Sequence, residues 1–200
     1  FINGRKLMDI LNERFNNLKY KLNDEKFRHN RGLSNELGYY IFPYDAKREE
    51  LKVREYVKEL VSKYSTSQDG FEIREFNLYQ IVMNIVDDEG FQEGIESIEE
   101  EYGIGGVISQ IAESLGLDED DNEIVNYIDR NTTKHDEVVF LTGVGQVFPL
   151  LRSHKILNVL QQKLDKVPLI MFFPGSYNGR SLDIFNVIHD DNYYRAFKLD

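Results

Sequence analysis

Along this chain, stretches in which apolar residues return every third or fourth position alternate with short unbroken apolar runs. Leu7, Leu11, Phe15, Leu18 and Leu22 share one helical face across residues 5–26, a stripe suited to covering a sheet or a neighbouring helix. Tyr39-Tyr-Ile-Phe42 reads as a first strand. After Pro43-Tyr-Asp45 comes a helix whose Val53, Val57, Leu60, Val61 and Tyr64 keep helical spacing, with Asp45 placed to cap its first turn. Residues 65–70 form a polar loop, and Phe71 to Phe76 alternates apolar with charged residues as a more exposed second strand would. Its helix is expected from near Asn77, using Leu78, Ile81, Val82 and Ile85.

From Gly90 onward the pattern is helical but broken. Phe91, Ile95, Ile98 and Tyr102 share one face, Ile104, Val107, Ile108, Ile111 and Leu115 another, and Gly103, Gly105 and Gly106 mark the join. The acidic run 118–121 opens a short helix reaching Ile128. Val138 to Leu141 is then an unbroken apolar run, interrupted by Thr142, Gly143 and Gly145, with helical spacing resuming after Pro149 at Leu150, Leu151, Leu157, Leu160 and Leu164. A parallel strand buried on both faces, a tight turn and a following helix are written this way. Val167 to Phe173 is a fourth strand ending at Pro174-Gly175, and Ser176, Asn178, Gly179 and Arg180 follow as a loop. Leu182 to Ile188 is a short apolar segment, and Tyr193 to Leu199 a last strand. The predicted class is α/β, three-layer, with a mostly parallel sheet, flanking helices and a helical insertion between the second and third strands. Residues 1–200 are read as a single domain, with 90–130 as the insertion.

Composition narrows the function more than the fold. Thirty-five acidic residues against 24 Lys and Arg leave a net charge of -11, which opposes general attraction to nucleic acid or anionic lipid. Arg28, His29 and Arg31 are the one concentrated basic group, so direct nucleic-acid binding is disfavoured. With no cysteine there is no disulfide framework, thiolate nucleophile or cysteine metal site, which fits a cytoplasmic location. No apolar run approaches a membrane span, and no membrane association is expected.

The turn Thr142-Gly-Val-Gly145 is placed to offer backbone N–H groups to an anion near the following helix. It lacks the Gly-Lys-Ser/Thr ending of a P-loop and the third glycine of a dinucleotide fingerprint. A turn that needs small residues and a ligand-binding turn both remain open. In a parallel sheet Asp45, Thr142 and Arg152 approach the same edge, and Arg152 is placed to pair with Asp45 or Glu36, either clamping a ligand or joining two loops. Ser153 and His154 are not a catalytic pair by adjacency, because successive helical residues point in different directions. His189-Asp190-Asp191 has no second histidine nearby, so no metal site is predicted. Asn178 and Arg180, beyond Phe173-Pro-Gly175, have polar tips suited to recognising another protein. The candidate partner or ligand edge therefore comprises Asn35, Glu36, Tyr44, Asp45, Thr142, Gly143, Gly145, Arg152, His154, Asn178 and Arg180. No catalytic set, cofactor or metal is predicted.

Three phrases carry a family resemblance. Ser34-Asn-Glu-Leu-Gly-Tyr-Tyr-Ile-Phe-Pro-Tyr-Asp45 with Glu50-Leu-Lys-Val-Arg54, then Phe140-Leu-Thr-Gly-Val-Gly-Gln-Val-Phe-Pro-Leu-Leu-Arg-Ser-His154, and Pro168-Leu-Ile-Met-Phe-Phe-Pro-Gly175 with Tyr194-Arg-Ala-Phe-Lys198 resemble the signatures of the BrxB proteins of BREX bacteriophage-exclusion systems. The long phrase through His154 is the specific one. The resemblance implies a small component, more readily non-catalytic than enzymatic, of a multi-protein defence system that distinguishes host DNA by methylation. Its expected partners are other BREX proteins, especially the PglZ-type component. The alternative is a divergent nucleotide-binding or phosphoryl-transfer protein using the sheet edge near Thr142 to Gly145.

Overall fold

The computed structural model describes residues 4–29, 38–88, 92–117, 119, 122–133, 136–151, 153–164, 167–190 and 192–200. The strands are β1 (Tyr39–Tyr44), β2 (Glu72–Asn77), β3 (Glu137–Thr142), β4 (Leu169–Tyr177), β5 (Leu182–Ile184), β6 (Ile188–Asp190) and β7 (Phe197–Lys198). Among the helices, α1 (Gly4–Asn23) and α2 (Glu25–Arg28) precede β1, and α3 (Glu50–Lys63) joins β1 to β2. Between β2 and β3 stand α4 (Leu78–Asp88), α5 (Gln92–Ser114) and α6 (Glu123–Arg130), and α7 (Ser153–Lys163) joins β3 to β4.

The main sheet runs β2-β3-β4-β1-β7 with every neighbouring pair parallel. Strand alternation divides its side chains between two cores. Tyr40, Phe42, Val138, Phe140, Ile170 and Phe172 meet α1 and α3 on one face. Tyr39, Ile41, Val139, Leu141, Leu169 and Met171 meet α4, α6 and α7 on the other. The expected three-layer α/β fold with a mostly parallel sheet is thus the one observed. Its two helical layers follow from the order of travel. The chain crosses from β1 to the far edge at β2 through α3, then returns through β3 to β4. Opposite directions of travel with right-handed crossovers require helices on opposite faces.

Local signals set the joins. Asn77 Oδ1 accepts from Gln80 N at 3.2 Å, capping α4 where a helix start was expected. Gly103, with φ 67 and ψ -174, breaks helical geometry inside α5, and a Cβ on Gly106 would collide with the Tyr102 side chain. Three expectations are corrected. The helix after β3 begins at Ser153, with residues 148–150 in a turn before it. β4 does not stop at Pro174 but continues to Tyr177. The apolar segment from Leu182 is a hairpin, β5 and β6, and the closing strand shrinks to Phe197–Lys198.

Pro43 lies within β1 without breaking it, and Arg14 explains how. The Ile41 carbonyl accepts from Leu199 N on the β7 side, so alternation turns Pro43 to that side too, just past the end of β7, where no ladder donor is required. The Arg14 Nη2 donates to Pro43 O at 2.6 Å and to Leu199 O at 3.3 Å, and its guanidinium lies 4.2 Å from the Phe42 ring centroid. Burial pulls this guanidinium below its usual range, while Glu49 and Asp200 pull it back. Arg14→Met keeps the aliphatic stem and removes both hydrogen bonds, and should cost about 2 kcal/mol in urea unfolding. An unchanged midpoint would mean that water replaces the guanidinium without loss.

Candidate functional site

The carboxyl ends of β1, β2, β3 and β4 open onto a cavity of ≈ 500 Å³ beneath α3. Tyr44, Thr142, Gly143 and Gly145, all expected at one edge, line it together. Val53 and Val57 of α3 and Phe172 of β4 form an apolar wall, with Pro174 and Phe185 closing one end.

The polar wall joins Tyr44 and Thr142 to residues that were not among the expected edge: Glu50, Arg54, Lys58, Glu75 and Asn77. The Tyr44 hydroxyl donates to Glu50 Oε2 at 2.6 Å, and Arg54 Nε donates to Glu50 Oε1 at 2.6 Å. Burial first, then the hydrogen bond to Glu50 and its charge, push the Tyr44 phenol far above its ordinary range, with Arg54 opposing. In this arrangement the Tyr44 hydroxyl serves as a hydrogen-bond donor to Glu50. Opposite, Thr142 Oγ1 donates to Glu75 Oε1 at 2.6 Å, and Asn77 stands beside them. Glu50, Arg54 and Lys58 recur every four residues along one flank of the stripe Val53, Val57, Leu60. That spacing equally describes a solvated helix face, and the family phrase containing Glu50 and Arg54 gives them no role.

The two glycines of the turn are required by different neighbours. Gly143 has φ +74, and a Cβ there would stand 2.5 Å from Asn77 Oδ1. Gly145 lies against the β4–β5 hairpin, where a Cβ would meet Pro174 Cγ at 2.9 Å and Phe185 Cε1 at 3.0 Å. The turn closes through Gln146 N donating to Gly143 O at 3.0 Å.

Other predicted residues are placed elsewhere. Asp45 is next to the cavity but serves its own turn, accepting from Lys47 N at 2.9 Å and lying 3.8 Å from Arg48 Nε. Its backbone N–H donates to Glu49 Oε2 at 2.7 Å, and Asp45 does not cap α3 as expected: residues 46–49 form a turn, and the cap position falls to Glu49, which makes no side-chain cap bond. Asn178 builds the turn between β4 and β5, its Oδ1 accepting from Arg180 N and Ser181 N at 2.9 Å. Arg180 is exposed in that turn, and neither residue lines the cavity. His154 belongs to α7 by its backbone, and its side chain is outside the described residues. Asn35, Glu36 and Arg152 lie outside them altogether, as does the expected pairing of Arg152.

Of the basic group near α2, Arg28 is engaged in structure. Arg28 Nη1 donates to Leu22 O at 2.9 Å and its guanidinium lies 4.7 Å from the Phe71 ring centroid, while Arg31 is outside the described residues. His189 bonds Asp183 across the hairpin. Among the described residues no group of three or more His, Asp or Glu is arranged to hold a metal ion. None of the described helices is long and apolar enough to cross a membrane.

A second apolar surface was missed by the sequence reading. The three-residue β5–β6 connection, 185–187, carries Phe185 and Asn186 at positive φ, 55 and 58, and Val187 N donates to Ile184 O at 3.1 Å across it. Phe185 is 36% exposed, Val187 78%, Ile188 44% and the nearby Tyr193 65%. β6 pairs with β5 alone, leaving its other edge without a strand among the described residues. A cavity of ≈ 340 Å³ lined by Phe148, Phe173, Ile184 and Ile188 adjoins the hairpin.

Comparison with known proteins finds relatives along nearly the whole chain. The family model described as BREX protein BrxB matches residues 74–199. A BREX protein BrxB of Bacillus cereus (strain H3081.97) is 42% identical over 192 residues, covering 96% of this chain and 98% of that protein. A BREX protein BrxB of Escherichia coli O9:H4 (strain HS) is 32% identical over 190 residues, covering 95% and 92%. No solved structure matches the chain.

Proposed function

The chain belongs to the BrxB family of BREX phage-defence components, and from that premise we propose that it is a non-catalytic assembly subunit that docks on the PglZ-type protein of its system. The observation that carries this reading is the β5–β6 hairpin. It holds Val187 and Ile188 in water, with exposed Tyr193 nearby. Exposed apolar side chains grouped this way mark association surfaces. The polar side chains at the sheet edge support the non-catalytic part of the reading. Tyr44, Glu50 and Arg54 bond one another, and Thr142 is bonded to Glu75.

Size-exclusion chromatography with light scattering, on this protein alone and mixed with the PglZ-type protein, tests the reading. A complex that survives moderate salt is expected. Val187→Asp with Tyr193→Asp should weaken it by about a hundredfold or more, since two exposed anchors at a hot spot carry roughly 1–2 kcal/mol each or more. Both positions are exposed, so the far-ultraviolet spectrum and unfolding midpoint should stay unchanged. Full complex formation by the double variant, or no complex between two folded proteins, rejects the proposal.

A further inference from the structure

Independent of the docking surface, three features converge on the cavity beneath α3. First, the β3–β4 ladder ends at Leu141 and Met171, whereas β4 stays paired with β1 as far as Tyr44 and Pro174. The carboxyl ends of β3 and β4 therefore part, and the ≈ 500 Å³ space opens beside the parting. Second, α3 leaves β1 on one face of the sheet and α7 leaves β3 on the other. The opening is thus a topological switch point, where the loops of an open α/β sheet diverge and leave a crevice for a ligand.

Third, the unpaired polar groups there are mostly donors. Lys58 Nζ, the terminal nitrogens of Arg54 and Asn77 Nδ2 have no acceptor among the described residues. Val139 N donates to Pro168 O on the β4 side, so alternation along β3 aims the Gly143 N–H that way too, into the parted ladder. No described carbonyl receives it. A surplus of donors asks for a ligand rich in acceptor oxygens. Arg54 and Lys58 stand against Glu50 and Glu75 in the lining, a balance that suits one phosphate and disfavours a triphosphate. Val53, Val57, Phe172 and Phe185 supply apolar surface for the remainder of such a molecule.

We infer that this cavity binds a small phosphomonoester of nucleoside monophosphate size, its phosphate held by Arg54, Lys58 and the Gly143 N–H. The test is titration of the full chain with AMP, adenosine and inorganic phosphate, followed by amide NMR. AMP should bind saturably and move the Gly143, Gly145 and Gln146 signals. Lys58→Gln and Arg54→Gln should each weaken AMP binding by about tenfold, the loss of one charge-assisted hydrogen bond. Adenosine should bind at least about tenfold more weakly than AMP, and phosphate should displace AMP. Lys58 is exposed and without a described partner, so K58Q should keep its thermal midpoint and isolate the binding effect. Absence of AMP binding at millimolar concentration, equal affinity for adenosine, or indifference to both substitutions overturns the inference.

Discussion

Phe172→Ala should lower stability by about 4 kcal/mol, the range for deleting a ring from a packed core, and depress the thermal midpoint by roughly 10 °C for a chain of this size. Phe172 is 2% exposed and its ring meets Phe140 at 5.0 Å, Phe42 at 5.4 Å and Phe15 at 6.3 Å between centroids. It therefore joins β3, β1 and α1 at one point, and its removal leaves a void that three separate elements would have to collapse to fill. Phe172→Leu, which restores most of the volume, should cost about 1.5 kcal/mol. Tyr20→Ala, at a side chain 80% exposed, should stay within about 0.5 kcal/mol of the parent. Differential scanning calorimetry on the three variants measures all of this, and equal losses for Phe172→Ala and Phe172→Leu would refute the packing account.

A loss of about 3 kcal/mol is also expected for Arg74→Met, for an electrostatic reason. The Glu137 side chain is 2% exposed, and its Oε1 accepts from Arg74 Nε at 2.9 Å while Oε2 accepts from Thr133 N at 2.8 Å. Arg74 also donates to Glu72 Oε1 at 3.0 Å, which orients the guanidinium along the sheet edge. Removing it strands a buried carboxylate with one backbone donor, and an unpaired buried charge costs more than the pair contributed. The double variant Arg74→Met with Glu137→Met should recover most of the loss, because it removes both charges and keeps apolar volume. Urea denaturation of the single and double variants separates the effects. A single variant as stable as the parent, or a double variant no better than the single one, would show that the pair is a surface feature.

How far the chain could be read depended on whether each signal was local. β3 was legible because a central parallel strand is buried on both faces and so reads as an unbroken apolar run, Val138 to Leu141. The helices of α1, α3 and α4 were legible because each turns one apolar stripe to a core at a fixed period. β4 was cut short because Pro174-Gly175 looks like a terminator. Only the hairpin shows that Gly175 is a packing requirement, since a Cβ there would run into the Asp183 carbonyl. The hairpin turn escaped notice because an aromatic residue, Phe185, occupies a left-handed position that glycine or asparagine normally announces.

The candidate site divides along the same line. Tyr44, Thr142, Gly143 and Gly145 were placed at one sheet edge because strand ends and turn glycines are marked in the local pattern. Glu50, Arg54, Lys58, Glu75 and Asn77 were not, since polar residues on a helix flank or an edge strand look alike whether they face water or a cavity. By itself the sequence determined most of the helices and the main strands, the parallel α/β class and the family, all carried by periodicity and by phrases within single segments. Strand order, the parting of β3 from β4, the pairing of Arg74 with Glu137 63 residues away and the exposed β5–β6 hairpin were decided only by the tertiary structure. Each depends on which distant segments meet, and that is a property of pairing and packing that no local pattern contains.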